Sequence, residues 1–205
     1  MDSKTNPVYS RNVVEFVAVA NEYCKYVEQA AKLKGEELLK ILQRLLPLLY
    51  IKASLLPALE PVFDDSNEKF VTESDWNHIN EILTQKFGTA NNYLDVVTDK
   101  PGETEDFTRS SLAEDMADIY QDIKNFLLLY QTGTNEVMND ALWECRMNFE
   151  NIWGQKLVNS LRAIHKFIYS GEEISRREDN GEGMDENRDT SEWIISKRQK
   201  DFRGE

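Results

Sequence analysis

The sequence contains few cysteines, glycines and prolines, and it has no long uninterrupted apolar run. Its two cysteines, Cys24 and Cys145, are too few for a disulfide scaffold, and we expect both thiols to be reduced. Nine glycines and five prolines among 205 residues exclude a collagenous or linker-like chain. Charged residues interrupt the most apolar stretch (38–59), whereas a membrane span needs about 20 mostly apolar residues. The sequence therefore predicts no membrane-spanning segment.

Positive charge is also in the minority. The 24 Lys and Arg residues stand against 37 Asp and Glu residues, which gives a formal net charge of −13. Because affinity for nucleic acids and for anionic lipids depends on Lys and Arg, we expect neither a nucleic acid nor a membrane as partner. The first ten residues, MDSKTNPVYS, lack the apolar core of a signal peptide, so we expect a cytoplasmic protein.

Common catalytic motifs are missing. The sequence has no glycine-rich phosphate loop, no GxSxG and no HExxH. It has two histidines, and neither His78 nor His165 has the sequence context of a nucleophile partner or a zinc ligand. These absences exclude the enzyme classes that are easiest to identify from a sequence.

Apolar residues recur at helical spacing along most of the chain, and no segment alternates convincingly with a period of two. The pattern predicts an all-α fold, a single bundle of five or six helices over residues 1–171. The expected helices cover about 7–35, 36–56, 72–87, 111–131 and 135–169, with a shorter piece around 91–97. The 36–56 segment is apolar around most of its circumference, so we expect it to be the central helix. Gly154 is an expected weak point of the last helix.

The composition changes after Gly171. Residues 172–205 contain 11 acidic and 7 basic side chains and almost no apolar ones before Trp193, which predicts a disordered acidic tail. The exception lies near its end, where four large apolar side chains form a candidate docking segment: Trp193, Ile194, Ile195 and Phe202.

Three aspartates form a stripe at the edge of the apolar face of the 111–131 helix. Asp115, Asp118 and Asp122 are spaced three and four residues apart, so their carboxylates can converge on one cation. The favoured interpretation is a solvated flank, or ion pairs with Lys and Arg, and no cofactor. The alternative is a magnesium site.

Two further polar groups lie on apolar faces. Arg146 and Glu150 can pair along the last helix, with Asn139 beside them, and Lys52 lies on the apolar side of the 36–56 helix. Together with the aspartates they predict one polar cluster inside the bundle: Lys52, Asp115, Asp118, Asp122, Asn139, Arg146 and Glu150. The alternative for Lys52 is that its ammonium group extends to the surface. A buried Arg146 would make Arg146→Ala cost about 3–5 kcal/mol.

Three segments carry a resemblance to a known family: LLPLLYIKASLLP at 45–57, SLAEDMADIYQDIKNFL at 111–127 and MNDALWECRMNFENIWGQKLVNSLRAIH at 138–165. Over about residues 8–170 the sequence resembles an uncharacterised bacterial family, one of the domains of unknown function. The resemblance implies a cytoplasmic, all-helical protein without an assigned activity. The positions that match the family motif are Asp118, Tyr120, Asp122, Trp143, Arg146, Trp153, Gly154 and His165.

These observations favour a non-enzymatic interaction or adaptor protein whose partner is another protein. The alternative is a metal-dependent nucleotide hydrolase, by analogy with all-α nucleoside triphosphate pyrophosphatases that hold magnesium between acidic helices. The chain departs from their pattern, because it lacks their ExxE with a downstream ExxD. The two hypotheses differ in whether the aspartate stripe opens to solvent or is closed by Lys and Arg.

Overall fold

The computed structural model describes residues 6–97 and 106–174. The helices of these residues are α1 (Arg11–Glu28), α2 (Gly35–Ser54), α3 (Glu73–Phe87), α4 (Leu112–Tyr130), α5 (Asn135–Asn148) and α6 (Gly154–Ser170). A single π-helical turn joins α5 to α6, so the two run on as one long helix. The predicted helical bundle is confirmed.

Short-range hydrogen bonds set the ends of α3 as the sequence predicts. The Thr72 side chain accepts a hydrogen bond from the backbone N–H of Asp75 (3.2 Å), and the Asp75 carboxylate accepts one from the backbone N–H of Thr72 (3.0 Å). This reciprocal cap satisfies two donors that the first turn of a helix leaves unpaired. The helix ends at Gly88, whose φ of 48° is unfavourable for residues with a Cβ atom.

The N-terminal helix is shorter than predicted. Instead of one helix over 7–35, the structure has a 3-10 turn at Pro7–Tyr9, then α1, then a second 3-10 turn at Ala30–Lys32. The backbone leaves the helical conformation at Gln29 (φ −97°, ψ 7°), although no glycine or proline marks this position. The break lets α2 turn back and pack against α1.

The π-helical turn at Phe149–Trp153 lies directly before Gly154, the predicted weak point. A Cβ atom at Gly154 would lie 2.4 Å from the carbonyl oxygen of Phe149 and 3.0 Å from its ring. Residue 154 must therefore be glycine for the backbone to pass this close, and the widened turn directs the buried Phe149 and Trp153 into the core.

The central helix is α4, and the prediction that it would be the 36–56 segment is wrong. Helix α4 contacts α1, α3, α5 and α6, and it is buried on most of its circumference. Helix α2 packs against α1, α3 and α6, but its other face exposes Leu48 and Ile51. The apolar composition of the 36–56 segment therefore led to the wrong central helix, because part of the apolar surface of α2 faces solvent.

A β-hairpin interrupts the helices. Strands β1 (Asn92–Val97) and β2 (Asp106–Ser111) pair antiparallel, with Asn92 opposite Ser111. The prediction of a shorter helical piece around 91–97 is wrong, and no strand was predicted, because the apolar Leu94 is 58% exposed while the acidic Asp95 is half-buried. This inverts the alternation by which a strand is identified. The hairpin leads directly into α4, whose first turn is capped by the Ser111 side chain.

The first residues assigned to the tail lie on the helical body. Ile174 packs against the core, and the Thr89 hydroxyl donates a hydrogen bond to the Glu173 carbonyl (3.4 Å). The packed body therefore extends past the predicted boundary at residue 171. The rest of the predicted tail lies outside the described residues, and so do Trp193, Ile194, Ile195 and Phe202.

None of the helices in residues 6–97 and 106–174 combines the length and the apolar character that crossing a membrane requires.

Candidate functional site

Asp115 is the centre of a buried polar network between the hairpin and helices α4 and α6. Its carboxylate accepts hydrogen bonds from the Tyr93 hydroxyl (2.5 Å) and the Ser160 hydroxyl (3.0 Å), and the Lys156 ammonium lies 3.9 Å away. Burial raises the pKa of Asp115, and its hydrogen bonds oppose this effect only in part. Burial and the hydrogen bond to Asp115 likewise raise the pKa of Tyr93.

Asp118 lies one helical turn further along α4 and forms an ion pair with the same lysine, Lys156. Its second contact is with α3, where the indole N–H of Trp76 donates to the carboxylate (2.8 Å). Burial by itself would lower the pKa of Lys156, but the pairing with Asp118 and Asp115 outweighs it, and the pKa is raised. One lysine thus neutralises two of the three aspartates.

Asp122 is directed towards α5. Its carboxylate accepts a hydrogen bond from the Asn148 side chain (2.9 Å), and burial raises its pKa. Residues 6–97 and 106–174 contain no group of three His, Cys, Asp or Glu side chains that could hold a metal ion. Each aspartate of the stripe therefore has its own protein partner, and together they do not converge on one point.

Two adjoining cavities border this network and share Tyr93 and Arg109. The smaller, of about 450 Å³, reaches Asp115 and Lys156 from the solvent side. The larger, of about 570 Å³, lies between the hairpin and α6, and we call it the hairpin cavity. Two hydrogen bonds hold α6 against β1. The Asn159 side-chain amide donates to the Asp95 carboxylate (2.7 Å), and the Arg162 guanidinium donates to the Leu94 carbonyl (2.9 Å).

Helix α2 presents a second feature to solvent. Leu48, Ile51 and, directly after the helix, Leu55 are each about half exposed, at 49%, 51% and 48%. Lys40 and Arg44 are exposed on the same side of the helix. We call these five residues the α2 face.

Comparison with known proteins places the chain in a family. The profile of a domain of unknown function, DUF5063, matches residues 7–170. The chain belongs to the DUF5063 family. This confirms the resemblance found from the sequence. The match ends one residue before Gly171, after which the composition changes.

Among solved structures, this DUF5063 chain is similar to protein BF1032 from Bacteroides fragilis, a structural genomics target whose crystal structure is known. The two are 40% identical, the alignment covers 81% of this chain and 98% of that chain, and the TM-score is 0.73. No match was found among the curated proteins.

The remaining members of the predicted cluster lie apart from the aspartates in this DUF5063 fold. Lys52 pairs with Glu15 of α1 (2.6 Å), and Asn139 donates to the Glu60 carbonyl (2.7 Å). Arg146 pairs with Glu150 (2.8 Å). Because the hydrogen bonds form separate groups, the seven residues do not build a single cluster. A helical projection shows on which side of its own helix a residue lies, but not which other helix packs against that side.

Five partners of the aspartates were not predicted from the sequence: Trp76, Tyr93, Asn148, Lys156 and Ser160. Tyr93 belongs to a strand that was not predicted. Lys156 and Ser160 are four residues apart and so share one side of α6, which is the signal that could have paired them with an acidic helix.

Magnesium or manganese ions should not change the melting temperature of this DUF5063 protein, because the aspartates already have protein partners. Binding at 100 times the dissociation constant would stabilise the fold by about 2.7 kcal/mol, which thermal unfolding detects easily. A metal-dependent shift that disappears in Asp118→Asn would contradict this prediction and favour the hydrolase.

The substitution Asp115→Asn should change stability in a pH-dependent way. The pKa of Asp115 is raised in the folded state, so its ionised form disfavours folding at neutral pH, and this penalty is lost as the pH falls through the raised pKa. The free energy of unfolding of the variant, relative to that of the parent, should therefore be highest near neutral pH. This difference should shrink as the pH falls to about 4. Urea unfolding across this range measures it, with the exposed Asp64→Asn as control. A pH-independent difference would contradict the prediction.

Arg146→Ala should be milder than the sequence suggested. The Arg146 side chain is 31% exposed and its partner Glu150 is 52% exposed, so the pair is screened by solvent. Arg146 also donates to the Leu56 carbonyl (3.1 Å). We expect a loss of about 1–2 kcal/mol in the free energy of unfolding, instead of 3–5. Glu150→Gln, which removes only the ion pair, should cost less, and an equal loss in both variants would contradict this division.

Proposed function

We propose that this DUF5063 protein is a non-enzymatic interaction protein that binds another protein through the α2 face. The observation that carries the proposal is the exposure of Leu48, Ile51 and Leu55, three large aliphatic side chains on one side of a helix. Contiguous exposed apolar surface on a soluble domain is typical of interaction sites, and helix faces bind partners through anchors at this spacing.

The charges on the α2 face specify the chemistry of the partner. Within the described part of the chain, neither Lys40 nor Arg44 has a hydrogen-bonding or ion-pairing partner. Both precede the three aliphatic residues of the face along the chain. A complementary segment would therefore carry aliphatic side chains next to acidic ones. The apolar segment 193–203 of this chain is itself basic, which makes it a poorer fit than a separate protein.

The contacts of the aspartates favour this proposal over the nucleotide hydrolase. Lys156 occupies the position between Asp115 and Asp118 that a catalytic cation would need. Trp76 and Asn148 donate further hydrogen bonds, to Asp118 and Asp122 respectively. This closing by protein groups is the arrangement expected of a structural network.

We also propose a cytoplasmic location. Cys24 and Cys145 are both buried and unpaired as thiols, and burial raises the pKa of each. Unmodified buried thiols suit a reducing compartment.

Site-specific photo-crosslinking in the native host tests the α2 face. A photoreactive amino acid replaces Ile51 in the full chain, and the control carries it at the exposed Glu81 on α3. The proposal requires that a partner protein is crosslinked at position 51 and not at position 81. The crosslinked peptide of that partner should contain aliphatic and acidic residues. Lys40→Glu with Arg44→Glu should abolish the crosslink, whereas Lys25→Glu with Lys32→Glu should not.

Three outcomes would overturn the proposal. One is a crosslink to residues 175–205 of the same chain, which would mean that the α2 face binds its own tail. The others are equal crosslinking at both positions and no crosslinked protein at position 51.

A further inference from the structure

The hairpin cavity combines a suitable volume with an unusual charge for this protein. Its volume of about 570 Å³ lies within the range of about 300–1,000 Å³ that is typical of small-molecule sites. Three cationic side chains line it, Arg109 from β2 and Arg162 and Lys166 from α6. The lining residues include one acidic residue, Glu172, although acidic residues outnumber basic ones in the chain.

The three cations differ in how they are held. Arg162 is positioned by its hydrogen bond to the Leu94 carbonyl (2.9 Å) and by Asp95 at 3.6 Å. Within residues 6–97 and 106–174, Arg109 and Lys166 have neither a hydrogen-bonding nor an ion-pairing partner. Arg162 is paired with Asp95, and Glu172 is the one acidic residue among the described lining residues, so the three cations leave the cavity with an excess of positive charge that an anion would balance.

The other lining residues are largely apolar. Leu94, Ala163 and Phe167 face the cavity, and Phe167 also packs against the core. Tyr93 contributes its ring, while its hydroxyl is bound to Asp115. A ligand therefore meets cationic groups together with an apolar and aromatic surface.

We propose that the hairpin cavity binds a phosphate monoester with an apolar or aromatic body. The two unpartnered cations, Arg109 and Lys166, are both available to the phosphate group of a monoester, which carries close to two negative charges near neutral pH. Guanidinium groups also fit phosphate oxygens in a bidentate manner. The body of the ligand packs on Leu94 and Phe167. This inference concerns a different surface from the α2 face and does not depend on it.

Phenyl phosphate is the probe for this site, added to the full chain and followed by calorimetry and by thermal unfolding. We expect saturable binding that weakens with salt, since Arg109 and Lys166 are exposed and screened. Benzoate has one charge fewer, inorganic phosphate has no apolar body and benzyl alcohol has no charge, so each should bind more weakly than phenyl phosphate.

Variants separate the two parts of the site. Arg109→Gln and Lys166→Gln should each weaken phenyl phosphate binding about tenfold or more, because each removes a charge-assisted contact. Lys25→Gln, the same change on α1, should leave it unaltered. Leu94→Ala should weaken binding of phenyl phosphate but not of inorganic phosphate.

Several results would overturn the proposal. No saturable binding of phenyl phosphate up to about 10 mM would do so. Equal binding of benzyl alcohol would show an apolar cavity without anion recognition, and equal binding of benzoate would remove the preference for phosphate. An equal effect of Lys25→Gln and Arg109→Gln would show that only the overall charge matters.

Discussion

Trp153→Ala should reduce the free energy of unfolding by about 3–5 kcal/mol, the range typical of a large aromatic side chain removed from a core. The Trp153 side chain is fully buried, its ring packs on Phe149 at a centroid distance of 4.8 Å, and its indole N–H donates to the Cys145 carbonyl (3.3 Å). Alanine would leave a cavity at the π-helical turn and remove that hydrogen bond. Urea unfolding measures the loss.

The control for Trp153→Ala is its neighbour in the same turn. Ile152 is 50% exposed, so Ile152→Ala should change stability by no more than about 0.5 kcal/mol. If the two substitutions cost the same, Trp153 does not pack as described, and the π-helical turn does not organise this part of the core.

Asn125→Ala should destabilise the fold by about 2–4 kcal/mol through unsatisfied backbone groups. Asn125 is buried on α4, and its side-chain oxygen accepts from the backbone N–H groups of Phe70 (2.8 Å) and Val71 (3.0 Å). These groups lie in the segment that leads into α3, and alanine would leave both donors buried without an acceptor. The unfolding free energy measured in urea gives the cost.

Asn151→Ala provides the matched control for Asn125→Ala. Asn151 is exposed and donates to the Met147 carbonyl in its own helix, so its loss should cost no more than about 0.5 kcal/mol. A loss below about 0.5 kcal/mol for Asn125→Ala as well would indicate that water replaces the amide oxygen.

Local signals in the sequence identified the ends of α3 and α4 and the disturbed position in the last helix, but not the break at Gln29. The pair of Thr72 and Asp75, the cap at Ser111 and the glycine at position 154 act within a few residues of the chain. Such interactions depend on short sequence separations, so one sequence contains the information that they need. The hairpin was not predicted, because its apolar Leu94 is exposed and its acidic Asp95 is partly buried, which inverts the usual pattern of a strand.

The candidate site was harder to predict because its contacts are long-range. The sequence indicated that the aspartates of α4 were unusual, and the structure shows that Lys156, Ser160, Tyr93, Trp76 and Asn148 are their partners. Projection had grouped Lys52 and Arg146 with them. Lys52 pairs with Glu15 instead, whereas Arg146 forms its predicted pair with Glu150 away from the aspartates.

The sequence by itself determined the helical class, most helix boundaries, the family and the position where the last helix is disturbed, since periodicity and capping are local properties of the chain. Only the tertiary structure decided that α4 is the central helix and that α2 exposes an apolar face. It alone also brought Arg109 of β2 beside Lys166 of α6 at one cavity. The physical reason is that a helix pattern fixes the direction of each side chain around its own axis, whereas the packing of separate helices decides what that side chain meets.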